Sequence, residues 1–294
     1  MMDNKRFFSK ILLFGEYGIM SNSDAISLPF KEFYGYLNNS ESIDYKTQVS
    51  NSKLIELYQF ILNSDAKDLI SIKDFKNDLD TGLHFVSNIP ISSGLGSSGA
   101  LVASIFHKYR KKNSIDFQIE EIKNLLSIIE SKFHGKSSGL DPLVSFLNKP
   151  ILYSNQKIKL LDQIIYNDFK VFIIDSQIDS STKKMIKIFQ NKMNNLEFKN
   201  FFTNQFIKNN NDCINNLRLN SSLFKGSIKQ LSEITFDNFQ EMIPDNIKSI
   251  WEKGLKNNSY YMKLCGSGGG GFFLLFDFEN RVNYEFSEFT LFEI

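Results

Sequence analysis

The run Pro90-Ile-Ser-Ser-Gly-Leu-Gly-Ser-Ser-Gly99 constrains this chain more than any other stretch. Leu83 to Ser87 before it reads as a strand. Ala100 to Phe106 follows without a break, and Leu101, Ile105 and Tyr109 recur at helical spacing. The order is therefore strand, glycine-serine loop, helix. Glycine lets a backbone turn tightly and approach a ligand closely. A helix starting in such a loop presents unpaired N–H groups and the positive end of its dipole, which suits a phosphate. Ser97 and Ser98 add hydroxyls for a phosphate oxygen or a metal ion.

Two other glycine patterns are weaker guides. Gly94–Gly99 and Gly266–Gly271 both fit G-x-G-x-x-G, but a dinucleotide fold also wants an acid about 20 positions on, at the end of a second strand. The region from 117 to 133 reads as helix instead. No G-x-x-x-x-G-K-[ST] occurs, which excludes a Walker loop, and neither H-R-D nor D-F-G is present.

The 294 residues suffice for one large domain or two ordinary ones, and 42% apolar content with 29 Phe can fill a sizeable core. A net charge of +1 gives no argument for nucleic acid or a membrane surface. No apolar run approaches the roughly 20 residues that span a bilayer. The first eight residues lack the apolar core of a signal peptide, and the two cysteines, Cys213 and Cys265, have no metal-ligand cluster beside them. A cytoplasmic protein is the expectation.

Along the chain, Phe7 to Phe14 reads as a strand holding one charge, Lys10, followed by a Gly15-Glu-Tyr-Gly18 turn. Ala25 to Pro29, Phe33 to Leu37 and Ile43 to Val49 read as strands, Lys53 to Leu62 as a helix, and 63–76 as a polar connection. Ser114 reads as the cap of a long amphipathic helix ending at Glu130-Ser-Lys-Phe-His-Gly-Lys-Ser-Ser-Gly-Leu-Asp141-Pro142, a loop dense in polar groups. A short helix is expected over Leu143 to Leu147. Strands are expected at Ile151 to Tyr153 and Lys170 to Asp175, and a helix over Asp179 to Phe189 entered through Ser181 and Thr182. Two or three helices should fill 195–251, divided at Pro244, before a strand, glycine turn and returning strand over 260–276.

Three stretches together resemble the signature motifs of the GHMP small-molecule kinases: Lys10 to Glu16 with Ala25 to Pro29, Pro90 to Ala100, and Lys263 to Phe272. Within that superfamily the Phe-Gly-Glu turn and His134-Gly-Lys-Ser-Ser-Gly-Leu-Asp141 are most similar to mevalonate kinases. The resemblance implies an α+β fold of two lobes. An N-terminal ATP-binding and catalytic lobe would span 1–150. A ferredoxin-like C-terminal lobe would span 151–294, with the active-site cleft between them. It implies ATP and Mg²⁺ as cofactors and a small-molecule alcohol as substrate, with no nucleic acid or membrane partner; a homodimer stays open as the assembly.

By the same resemblance, Gly94, Leu95, Gly96, Ser97 and Ser98 form the phosphate loop, and Ser98 and Glu130 hold the metal. Asp141 takes the proton of the attacking alcohol, and Lys10 beside it would keep the acid ionised and stabilise the developing alkoxide. Glu16, Tyr17, His134, Ser138, Thr182, Gly266 and Ser267 are the substrate-side candidates. Tyr17 stands where histidine is usual and Gly99 where alanine is usual, and Cys265 and Ser267 vary the third motif mildly. The implied activity is transfer of the ATP γ-phosphoryl group to the primary hydroxyl of (R)-mevalonate. The alternatives are another enzyme of the superfamily (phosphomevalonate, sugar or homoserine kinase, or diphosphomevalonate decarboxylase) or an inactive ATP-binding relative.

Overall fold

The computed structural model describes residues 5–40, 44–91, 93–111, 118–282 and 286–294. The chain forms two compact units, neither a single run of sequence. The first gathers Met1–Lys10, Leu28–Ile91 and Leu95–Lys149; the second gathers Ile11–Ser27, Ser92–Gly94 and Pro150–Ile294. Strands β1 (Phe7–Phe14) and β2 (Ala25–Asn39) each run through both assignments.

In the first unit the far half of β2 pairs antiparallel with β3 (Leu83–Ser87), from Gly35 opposite Ser87 to Asn39 opposite Leu83. Among the described residues five α-helices accompany them: α1 (Tyr45–Leu62), α2 (Ile72–Asp80), α3 (Ser97–Tyr109), α4 (Ile119–His134) and α5 (Leu140–Leu147). Nine of the 13 residues of α3 are buried, as suits a helix apolar on nearly every side. It packs on α4 and α5, with Val102, Ile105 and Phe106 fully enclosed. Leu54, Leu57, Tyr58 and Ile61 form the buried face of α1 at the spacing the sequence shows.

The second unit holds two sheet regions. The opening of β2 pairs with β4 (Ile151–Ser154), which turns through Asn155 and Gln156, both at positive φ, into β5 (Lys157–Leu160). Such a two-residue turn matches the twist of its strands. A separate antiparallel sheet has the order β7-β8-β6-β9: β6 is Lys170–Asp175, β7 Tyr260–Leu264, β8 Phe272–Asp277 and β9 Thr290–Glu293. Helices α6 (Thr182–Met193), α7 (Leu196–Phe201), α8 (Ile207–Arg218), α9 (Phe224–Asn238) and α10 (Asp245–Asn257) belong here, with α9 and α10 packed on β7. Trp251 is fully buried and donates its indole N–H to Ser232 Oγ at 2.8 Å.

Several expectations are corrected. Of the strand expected over Ile43 to Val49, Ile43 lies outside the described residues and the rest is no strand: Asp44 accepts the Thr47 N–H at 2.8 Å, which caps α1 and makes 45–49 its opening. The polar connection at 63–76 contains the start of α2, whose mostly polar surface hides a buried Phe75 and Leu79. The two strands expected around Pro29 are one, because Pro29 falls between the stretch paired with β4 and the stretch paired with β3. α4 begins with a capping box between Gln118 and Glu121; Ser114 lies outside the described residues. β5 was not anticipated, whereas 195–251 follows the expectation: α7 continues through a π-helical turn at Phe202–Phe206 into α8, so three helical rods fill the stretch, and Pro244 at the N-cap of α10 divides the last two.

Candidate active site

In the first unit, β1 delivers Lys10 into the interior, and its backbone N–H donates to the Leu95 carbonyl at 2.9 Å. Leu95 is fully buried and leads into Gly96, which sits at φ 76° as the N-cap of α3. A Cβ on Gly96 would stand 2.8 Å from Lys10 Cγ, so glycine is required there for conformation and for space. No side chain caps α3 and no acid occupies its first turn. The start of such a helix, here carrying Ser97 and Ser98, presents the positive end of its dipole.

Lys10 Nζ lies 3.0 Å from Asp141 Oδ2. Asp141 occupies the first turn of α5, entered through Gly139 at φ 73°, and its side chain is 35% exposed, enough to meet an incoming group. Glu130, in the last turns of α4, is 4% exposed. Its Oε1 accepts from Ser98 Oγ at 3.3 Å, and its Oε2 accepts from Ser137. Burial, and after it the negative charge of Asp141, pushes the Glu130 carboxyl up to about 7, against the opposing pull of Ser137, Lys10 and Ser98. A buried carboxylate so disfavoured gains from a cation.

Lys10, Ser98, Glu130 and Asp141 thus belong to one constellation. Ser138, at the start of α5, accepts the Leu140 N–H at 3.3 Å. His134 ends α4, and its side chain lies outside the described part of the structure.

The second unit carries the remaining candidates. Glu16 pairs with Lys263, both side chains 3% exposed, and Lys263 also donates to the Leu264 carbonyl at 2.9 Å. Tyr17, at φ 55°, donates its hydroxyl to the Ser267 carbonyl at 2.7 Å and stacks on Phe189 with centroids 4.3 Å apart. Burial, then the charge of Glu16, raises its phenol well above the ordinary range, so it stays neutral. Ser267 Oγ and Thr182 Oγ1 stand 3.5 Å apart. Gly94, at φ 79°, faces the Cys265 carbonyl, and Gly266 faces the Gly94 Cα.

Residues 63–149 match the GHMP kinases N terminal domain. The structure also matches that of the L. major mevalonate kinase in complex with R-mevalonate at 18% identity, TM-score 0.62, over 100% of this chain and 96% of that one. The fold is that of the GHMP kinases. By sequence, the mevalonate kinase of Archaeoglobus fulgidus is 23% identical over 272 residues, covering 89% of this chain and 88% of its own. The Streptococcus pneumoniae phosphomevalonate kinase matches in shape with TM-score 0.65 at 13% identity, over 100% of this chain and 99% of that one. Shape alone therefore does not single out an acceptor among GHMP kinases.

The departures at Gly99 and Tyr17 acquire a physical account. A Cβ on Gly99 would meet the Asp141 carbonyl carbon and Pro142 N at 2.9 Å, so glycine lets α5 close on α3 beside the constellation. The Tyr17 ring stacks on Phe189 and Phe239 instead of offering a titratable imidazole. Lys263 and Ser137 lie within the motif stretches, and the sequence alone assigns neither a role. A lysine inside the wholly buried strand β7 was the available signal for the first; nothing in the sequence pointed to the second.

Proposed function

We propose that this chain is an ATP-dependent small-molecule kinase that phosphorylates the primary hydroxyl of (R)-mevalonate. The observation that carries the reading is the Lys10–Asp141 contact, 3.0 Å, together with Glu130 and Ser98 at the uncapped start of α3. Phosphoryl transfer needs positioning and cancellation of charge more than covalent chemistry. Gly94, Leu95, Gly96, Ser97 and Ser98 hold the nucleotide phosphates through backbone N–H groups and hydroxyls. Lys10 engages Asp141 Oδ2, which leaves Oδ1 to accept the proton of the acceptor hydroxyl.

The donor set suits Mg²⁺. Glu130 supplies one hard carboxylate oxygen and Ser98 a hydroxyl, and among the described residues no group of three or more His, Cys, Asp or Glu could form an all-protein cage. Mg²⁺ ordinarily keeps waters and shares its ligands with substrate phosphates. Bound there, it would neutralise charge on the transferring group.

Glu16, Tyr17, Thr182, Gly266 and Ser267 are the acceptor-side residues of this reading. Of the hydroxyls, Thr182 and Ser267 remain able to contact an acceptor, since Tyr17 is committed to the Ser267 carbonyl. An acceptor already carrying phosphate would call for bidentate arginine. The four arginines are Arg6, Arg110, Arg218 and Arg281, and none lies in a signature motif; Arg6 lies over Tyr34, Arg110 over Phe146, and Arg281 pairs with Glu279. That favours an acceptor with a single carboxylate, as mevalonate has. The naming of the similar sequences supports the same choice. Parallel assays of mevalonate, phosphomevalonate, galactose and homoserine, with phosphorus NMR of the product, test it. Mevalonate should give the highest kcat/KM; a higher value for any other acceptor overturns the substrate assignment.

A further inference from the structure

We propose that Ser137 is a positioning residue that fixes the plane of the Glu130 carboxylate and so decides which of its oxygens meets the cation. The inference rests on the reading of Glu130 and Ser98 as cation ligands.

A serine hydroxyl has one hydrogen to donate and two lone pairs that accept. At Ser137 an accepting position is taken by the Gly139 N–H, at 2.9 Å. The hydrogen goes to Glu130 Oε2. The backbone is held as well, because Ser127 Oγ donates to the Ser137 carbonyl at 2.6 Å. Ser127 and Glu130 are neighbours on one face of α4, so the residue is pinned to that face at two points. The adjoining backbone is fixed too: Gly139 stands at φ 73°, where a Cβ would press on Ser127.

With Oε2 tied to Ser137, rotation of the carboxylate is suppressed. Oε1 is left on the side of Ser98 Oγ, 3.3 Å away. Those two oxygens converge, and Glu130 binds through one oxygen rather than two. Partners of this kind, one bond removed from a metal, typically change its affinity by roughly 10–100-fold when lost.

The test is Mn²⁺ titration followed by EPR in the presence of ATP, on the full chain. Ser137→Ala should weaken Mn²⁺ binding about tenfold or more, as expected for an outer partner of a metal ligand. Ser137→Thr, which keeps the donor, should restore it, and Ser137→Cys, a weaker donor of similar size, should fall between. Affinity for metal-free ATP and the melting temperature should stay near wild type. Adding Ser137→Ala to Glu130→Gln should cost nothing further, since the group it orients is no longer a carboxylate.

The proposal is overturned if Ser137→Ala binds Mn²⁺ like wild type while Glu130→Gln does not. It is equally overturned if Ser137→Ala loses metal-free ATP binding and thermal stability together, which would make the residue a loop staple. If Glu130→Gln itself leaves Mn²⁺ affinity intact, the metal assignment fails first and takes the role of Ser137 with it.

Discussion

Glu130→Gln should change how stability depends on pH, and the size of the change follows from the burial of that carboxyl. Its ordinary value of 4.5 is pushed up to about 7 in the folded chain. Between those two values the folded protein keeps a proton that the unfolded chain releases. The folded state is therefore favoured by this group below about 4.5, and that advantage disappears as pH rises through about 7. At about 1.4 kcal/mol per pH unit of displacement, the loss is on the order of 3 kcal/mol between pH 5 and pH 8. Glutamine keeps the shape but cannot ionise. Urea unfolding of both chains at pH 5, 6, 7 and 8 in metal-free buffer reads the effect of the Glu130 charge together with its interaction with Asp141 and Lys10. Wild type should lose stability relative to Glu130→Gln as pH rises, by about 3 kcal/mol across the window. Parallel stability curves would refute the account of Glu130 as a carboxyl held against its own ionisation.

Asp141→Asn should keep ATP binding and lower turnover by roughly 10²–10⁴-fold, measured in single-turnover phosphorylation. Gly99→Ala forces a Cβ against the α5 backbone at 2.9 Å. It should cost about 1–3 kcal/mol in urea unfolding and lower kcat more than it raises KM. Lys263→Met leaves Glu16 buried without its cation and should destabilise by about 3–5 kcal/mol; Lys263→Met with Glu16→Leu should recover most of that loss.

How much could be read beforehand depended on the range of the interaction. The glycine-serine turn and α3 were legible because strand, glycines and helical spacing lie side by side, and the four buried positions of α1 followed from local periodicity. The start of α1 was misread because Tyr45 and Val49 have strand-like side chains; the Asp44 cap, a single hydrogen bond, settles the helix. α2 was missed because its few apolar residues barely rise above a polar stretch. Within the site, Lys10, Asp141, Ser98 and Glu130 were named from motif resemblance, since no local rule joins residues so far apart. The role of Ser137 depends on a hydroxyl direction that the loop determines, and the buried partner of Glu16 comes from the other end of the chain.

That last pairing has a consequence for how the protein is made. Glu16 and Lys263 are separated by 247 residues. At a synthesis rate of roughly 5–20 residues per second, the acid waits on the order of 12–50 s for its cation. The second unit contains Ile11–Ser27 from near the start and nothing more until position 92. It cannot close on the ribosome as a domain formed from one continuous run would. Contacts of such sequence separation make for slow folding and for exposure of unfinished apolar surface. Splitting the gene at 149/150 would separate 11–27 and 92–94 from the rest of the unit to which they belong. Fragments cut there should need each other during refolding, whereas a circular permutant joining the present ends would bring Glu16 and Lys263 close in sequence and shorten the wait.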